Sequence, residues 1–244
     1  MQYRLIIDVG NSTTKYALFD NKELTQYFQS FDDLSSSDIQ STLEKFNIDR
    51  CLISQSGKLS EELMDWLENV AFEVIYFDSN LVLPIKLDYE TPQTLGKDRI
   101  ASAVGSLLYF PDGNTVVVDM GTCITMNYID ATSTFLGGNI SPGISMRLQA
   151  MHYFTEKLPL VEKKFNENLI GQNTEKALQN GAVRGALWEI ESFIRNVQEK
   201  NGPVNVILTG GDAKFFESCT NIKIFAAPKL VLEGLNEILT FNAF

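Results

Sequence analysis

The chain has 244 residues and a formal net charge of −11, with 20 Lys and Arg against 31 Asp and Glu. Hydrophobic residues at 44% and charged residues at 21% are the proportions of a folded globular protein with material for a real core, which excludes a disordered chain and a disulfide-stapled mini-domain. No basic run exceeds the pair Lys163 and Lys164, so the footprint a nucleic-acid binder needs to neutralise phosphates is missing.

The first apolar run, Leu5, Ile6 and Ile7, has strand length and ends at Asp8, Val9, Gly10 and Asn11. It is too short for the apolar region of a signal peptide, and no later stretch approaches a membrane-spanning length, so a cytoplasmic protein without membrane partners is expected. A second strand through Lys15 to Phe19 and a third through Gln26 to Phe28 complete a meander. The pattern then predicts a helix over 37–46, a strand through Leu52, Ile53 and Ser54, a helix carrying Leu59, Leu63 and Leu67, and a strand over 74–77. After a loop between Pro84 and Pro92, an amphipathic helix over 96–110 presents Ile100, Val104, Leu107 and Leu108 on one face and serves as connector.

The plan then restarts. A strand through Val116, Val117 and Val118 ends at Asp119, Met120, Gly121 and Thr122, a second covers 124–129, and a third passes through Phe135 and Leu136 to Gly137 and Gly138. Ser141 followed by Pro142 predicts a helix start there, a cap with proline at the first helical position. A long helix over 174–200, interrupted at Gly181 and Gly185, leads to a strand over 204–208 that ends in Thr209, Gly210, Gly211 and Asp212, and short elements over 222–226 and 230–239 close the chain. Asp8 and Asp119 lie 111 residues apart at the same point of the repeated plan. The expected architecture is therefore α/β, two similar domains over 1–108 and 109–244, each a mixed sheet flanked by helices, with a cleft between them.

Asp8, Val9, Gly10, Asn11, Ser12, Thr13, Thr14 and Lys15 form a phosphate cradle in chemical terms. Glycine lets backbone amides approach an oxyanion, the hydroxyls add donors, Lys15 brings positive charge, and Asp8 can hold magnesium directly or through water. Alone, such a run reads equally well as an ordinary tight hairpin. Its repetition in Asp119, Met120, Gly121, Thr122, Cys123, Ile124 and Thr125, with a glycine turn at Thr209 to Asp212 as a surface for a flat adenosine, favours a nucleoside triphosphate gripped from two sides.

The paired hairpins and the later Gly210, Gly211 and Asp212 resemble the actin-like ATPase and sugar-kinase superfamily, with its duplicated ribonuclease H-like domains. Further motifs narrow the resemblance to the type III pantothenate kinases. Asp8 to Lys15 resembles that family's first phosphate motif, Tyr89 with Pro92 and Leu95, Gly96, Lys97, Asp98 and Arg99 resembles its G-x-D-R segment, and Gly137 to Gly143 resembles its G-G-x-I-x-P-G segment. The resemblance runs nearly end to end.

It implies ATP-dependent phosphorylation of pantothenate, with Asp98 as general base and Tyr89, Gly96, Lys97, Asp98, Arg99 and Thr174 binding pantothenate. Asp119 would bind a monovalent cation, potassium or ammonium, Thr122 would touch ATP, magnesium would accompany ATP, and the chain would form a homodimer in which Thr174 acts across the interface. A primary alcohol attacking a γ-phosphoryl needs an aligned proton acceptor, which agrees with Asp98 at a helix start. Asp98 and Thr174 could each instead cap their own helix. Another kinase of the superfamily, acting on a sugar, acetate or polyphosphate, and a silent nucleotide-binding regulator are the alternatives.

His152 is the single histidine and Cys51, Cys123 and Cys219 are scattered without metal-ligand spacing, so a structural histidine and buried thiols are expected. Trp66 and Trp188 fall at helical spacing with apolar neighbours and are expected in core or interface packing.

Overall fold

A computed structural model describes residues 2–11, 13–30, 41, 43–220 and 222–242. The chain divides into two compact units, Met1–Tyr109 with Leu230–Phe244, and Phe110–Lys229.

In the first unit, β1 (Tyr3–Val9) is buried along Leu5 to Val9, which explains its unbroken apolar run. It pairs antiparallel with β2 (Thr14–Asp20), which pairs antiparallel with β3 (Glu23–Ser30). On its other side β1 runs parallel to β4 (Ile48–Gln55), and β4 parallel to β5 (Glu73–Tyr76), giving the order β3-β2-β1-β4-β5. Leu5, Ile7, Val9, Tyr16, Leu18, Cys51 and Ile53 pack with Leu63 and Leu67 of α1 (Glu61–Glu68), whose N-cap Ser60 accepts from Leu63 N at 3.2 Å. Side chains alternate across a strand, so Ile6, Asp8, Leu52 and Ser54 belong to the opposite face.

That face meets α2 (Lys97–Leu107) and α6 (Leu230–Phe241), both of which contact the sheet. The two helices are in backbone contact: a Cβ on Gly234 would lie 1.8 Å from Ala101 O. Tyr109 Oη donates to Glu233 Oε2 at 2.7 Å beyond the end of α2. Two short elements, β6 (Lys86–Leu87) and a 3-10 turn at Pro92–Thr94, lie before α2.

The second unit repeats the plan. β7 (Thr115–Met120), β8 (Cys123–Ile129) and β9 (Thr134–Pro142) form the antiparallel meander. β10 (Asn205–Thr209) adds parallel to β7, and β11 (Phe225–Ala226) parallel to β10. Within the unit the order β9-β8-β7-β10-β11 is the counterpart, strand for strand, of β3-β2-β1-β4-β5. Met120, Ile124, Val116 and Val118 pack against Ile144 and Leu148 of α3 (Ile144–Tyr153) and against Val183, Ala186, Leu187 and Ile190 of α4 (Thr174–Asn201). A short helix, α5 (Ala213–Glu217), follows the glycine turn.

Several local expectations are corrected. Ser141 and Pro142 do not open a helix: they pair with Ile124 and Cys123 at the end of β9, and α3 starts at Ile144 with Gly143 as cap. Ladder hydrogen bonds to β8 outweigh the local capping signal. α4 runs unbroken through Gly181 and Gly185, because each glycine keeps its N–H, costs only about 1 kcal/mol against alanine, and is flanked by buried Ala182, Val183 and Ala186. The division at 108/109 placed the chain's end with the second half, whereas α6, at 12 residues no short element, packs on α2 in the first unit. Cys51 is buried, but Cys123 and Cys219 are only half-buried. Half of the helix expected over 37–46, residues 37–40 and 42, lies outside the described residues.

Candidate active site

Asp8 stands one residue before the end of β1, the single charged residue in its buried stretch from Leu5 to Val9. Antiparallel pairing sets it opposite Lys15 on β2, and parallel pairing sets it opposite Ser54 on β4. Lys15 Nζ lies 3.9 Å from Asp8 Oδ2, a loose ion pair over a carboxylate that is almost buried. Burial pushes the Asp8 carboxyl above its ordinary value, Lys15 pulls it back, the Asp98 carboxylate pushes it up again, and the Ser54 hydroxyl lowers it. That the Asp98 charge acts on Asp8 means the fold sets these two carboxylates, 90 positions apart in sequence, near one another in the first unit despite their repulsion.

The turn after Asp8 is closed by Gly10 N donating to Thr13 O at 3.0 Å. Asn11 is exposed, Val9 and Thr14 are buried, Thr13 is half-buried, and Ser12 lies outside the described residues.

Asp98 stands on the first turn of α2, whose N-cap is Gly96. It therefore does not cap the helix from the cap position. Its Oδ1 accepts from Arg99 N at 2.9 Å, and its other oxygen makes no hydrogen bond among the described residues. A helix N-terminus favours an anion here. Arg99 is 4% exposed, and its guanidinium carbon lies 5.8 Å from the centroid of the Tyr89 ring, a cation–π contact that ties the segment before α2 to the helix. Lys97 and Tyr89 are half-buried at the same helix start.

In the second unit Asp119 stands one residue before the end of β7, opposite Thr125 and Thr209. Gly121 N donates to Cys123 O at 3.0 Å and Gly143 N to Thr122 O at 3.0 Å, so the turn of the second hairpin is held from the end of β9. The glycine turn after β10 closes on the same strand end, with Asp212 N donating to Met120 O at 3.0 Å. Lys163 Nζ pairs with the Asp212 carboxylate and stands 5.8 Å from the centroid of Phe215. Thr174 is exposed at the first position of α4, and the cap is its neighbour Asn173, whose Oδ1 accepts from Lys176 N at 2.8 Å.

Asp8, Lys15, Tyr89, Gly96, Lys97, Asp98 and Arg99 thus share the first unit, while Asp119, Thr122 and Thr174 belong to the second. Sequence reading missed Ser54, Gly57 and Lys163. The only linear signal for the first two was a strand ending in a serine- and glycine-bearing turn, which is common; Lys163 sits in a segment without regular structure.

No group of three or more His, Cys, Asp and Glu that could hold a metal occurs among the described residues. The Asp8 carboxylate, at the strand end that leads into the Gly10 turn, fits a divalent cation that arrives with nucleotide phosphates and keeps most of its waters better than one in an all-protein cage. His152 Nδ1 lies 2.7 Å from Leu158 O, a structural contact, and no described helix is long and apolar enough to cross a membrane.

Solved structures share the architecture. A Campylobacter jejuni protein provisionally described as a conserved Baf family transcriptional activator superposes with a TM-score of 0.64 at 25% identity, covering 98% of each chain. A Sinorhizobium meliloti protein provisionally called a 2-dehydro-3-deoxygalactonokinase gives 0.59 at 11% identity, over 99% of this chain and 100% of its own, which shows a shared fold alone. In sequence, a type III pantothenate kinase from Phocaeicola vulgatus is 39% identical over 238 residues, 98% of either chain. One from Cytophaga hutchinsonii is 40% identical over 238 residues, 98% of this chain and 99% of its own. The sequence profile of the family described as type III pantothenate kinase matches residues 4–196, and with these full-length relatives it shows that the chain belongs to the type III pantothenate kinase family.

Proposed function

We propose that the chain transfers the γ-phosphoryl group of ATP to the primary hydroxyl of pantothenate, the entry step toward coenzyme A. The observation that carries this reading is the Asp8–Lys15 ion pair at the closed Gly10 turn together with the Asp98 carboxylate on the first turn of α2, whose charge acts on Asp8. Asp98 accepts the proton of the hydroxyl as its oxygen attacks the γ-phosphorus and the bond to the ADP oxygen breaks. Arg99 N–H fixes one oxygen of that carboxylate, which leaves the other to take the proton. Tyr89, Gly96, Lys97 and Arg99, at the same helix start, recognise pantothenate, with Arg99 the natural partner of its carboxylate.

Val9, Gly10, Asn11, Ser12, Thr13 and Thr14 offer amides and hydroxyls to the phosphates, and Lys15 adds charge. Asp8 is the residue to hold magnesium, which when bound neutralises charge on the β- and γ-phosphates. Asp119 is the residue for a monovalent cation, potassium or ammonium, with Thr122 contacting ATP. Thr174 serves pantothenate bound to a second copy, a role supported by its exposure and by Asn173 taking the capping position.

A homodimer is supported by α4, where Trp188 is 53% exposed and Gly181 and Gly185, on the same stripe, have nothing within 4 Å of where a Cβ would lie. An exposed tryptophan beside bare glycines is a face suited to another helix.

ADP release should be measured with pantothenate, a panel of sugars, acetate and glycerol, with magnesium present and potassium varied. Turnover with pantothenate, raised by potassium, is expected. Comparable turnover with a sugar or acetate would replace the substrate, and ATP binding without any turnover would make the protein a silent nucleotide binder.

A further inference from the structure

The strand order that relates the two units also aligns their turns residue for residue. Asp8 is in register with Ser54 on the neighbouring parallel strand, as Asp119 is with Thr209. Three residues beyond each hydroxyl residue, an amide closes back on the residue after the aspartate: Gly57 N donates to Val9 O at 2.9 Å, and Asp212 N donates to Met120 O at 3.0 Å. The glycine turn from Thr209 to Asp212 therefore has a first-unit counterpart at Ser54 to Gly57, a segment with no nucleotide-binding signature of its own.

Two features of that counterpart go beyond what holding a strand end requires. Ser54 is fully buried, and its Oγ meets no group at full hydrogen-bond geometry, although register and strand alternation put it on the same face as the Asp8 carboxylate, close enough to favour the ionised form of that carboxylate. An orphaned buried hydroxyl is uncommon in a folded core. Gly57 lies against the phosphate turn itself: a Cβ there would fall 2.2 Å from Gly10 O, 2.8 Å from Gly10 C and 3.4 Å from Asn11 N. Ser56 N adds a second donor to Val9 O at 2.8 Å, so the peptide leading into Gly10 is held from below by two amides.

We propose that Ser54 and Gly57 are positioning residues for the phosphate-binding turn, Ser54 orienting the Asp8 carboxylate and Gly57 setting the height of the Gly10–Asn11 peptide. This rests on the assignment of that turn to ATP. Any side chain at 57 pushes the Gly10 carbonyl, and with it the Asn11 amide, out of line with the phosphates. Loss of the Ser54 hydroxyl leaves Asp8 free to turn without emptying any apolar packing.

The test is calorimetric binding of ATP to the full chain across a magnesium series, with thermal unfolding alongside. Gly57→Ala should weaken ATP binding at least about tenfold while the KM for pantothenate stays within about twofold. Ser54→Ala should raise the magnesium concentration needed for half-maximal ATP binding by about ten- to a hundredfold, the effect of losing a group that orients a metal-binding carboxylate. Ser54→Thr, which installs the residue the second unit uses at this place, should restore it. A folded Ser54→Ala protein whose magnesium requirement and ATP Kd stay within twofold of wild type overturns the proposal, whatever Gly57→Ala does. If Gly57→Ala fails to fold, the two Ser54 variants decide alone. Wild-type protein that binds ATP yet leaves pantothenate untouched would remove the assigned reaction and leave this comparison intact.

Discussion

The carboxylate of Asp119 stands where a side chain on residue 210 would have to go: a Cβ on Gly210 would lie 2.4 Å from Asp119 Oδ1 and 2.6 Å from Met120 N, at a φ of 91°. Close approach and a left-handed backbone both demand glycine there. Gly210→Ala should destabilise the protein by ~1–3 kcal/mol through backbone strain, a fall of roughly 2–12 °C in Tm. Because relief requires Asp119 to move, stimulation by potassium should be lost with it. Thermal unfolding and a potassium titration check both effects, and a variant as stable and as potassium-responsive as wild type would contradict them.

Asp98→Asn keeps the shape and the oxygen that accepts from Arg99 N, and removes the base. It should lower kcat by on the order of 10²–10⁴, with KM for ATP and pantothenate little changed and Tm nearly so. Steady-state kinetics beside a melting curve decide it. A kcat within a fewfold of wild type would reduce Asp98 to a helix-start anion.

Asp8 gives a prediction in which stability and activity move in opposite directions. Its folded carboxyl is raised above the ordinary 3.8, first by burial and then by Asp98, with Lys15 and Ser54 opposing. Well below that ordinary value both folded and unfolded chains are protonated at this position, and Asp8 contributes nothing to pH dependence. As pH rises from there to the raised folded value, the unfolded state ionises first and the folded state loses stability, a loss that persists at higher pH. Asp8→Asn should therefore match wild type in strong acid and exceed it at neutral pH, while losing activity. Urea unfolding of both proteins at several pH values tests this, and a variant less stable than wild type at pH 7 would reverse the sign.

Trp188 is half-exposed in the middle of a 28-residue helix whose opposite side is buried. Trp188→Glu should leave the melting temperature of the isolated chain within a few degrees, and should convert a dimer to a monomer in light scattering coupled to size exclusion. A dimer that survives the substitution would place the interface elsewhere.

Much of this protein was decided within short stretches of sequence. The apolar runs of β1, β4, β7 and β10 identify buried strands because a strand covered on both faces has no solvent side to signal. The spacing of Asp8 and Asp119 revealed the duplication, and the helix starts at Asp98 and Thr174 were visible because dipole and cap preferences act over one turn. Tertiary structure alone decided the rest. Parallel pairing between β1 and β4, strands joined through more than 35 intervening residues, sets Ser54 under Asp8 and Gly57 against Gly10, and nothing local distinguishes those two residues from an ordinary turn. Ser141 and Pro142 carried a true capping signal that was overruled by ladder bonds to β8, and α6 carried no mark in its own sequence of the unit it would join, since its contact with α2 depends on glycines facing each other across distant segments. Short-range preferences cost or contribute about 1 kcal/mol each, and where strand pairing or close helix packing offers more, the long-range contact decides.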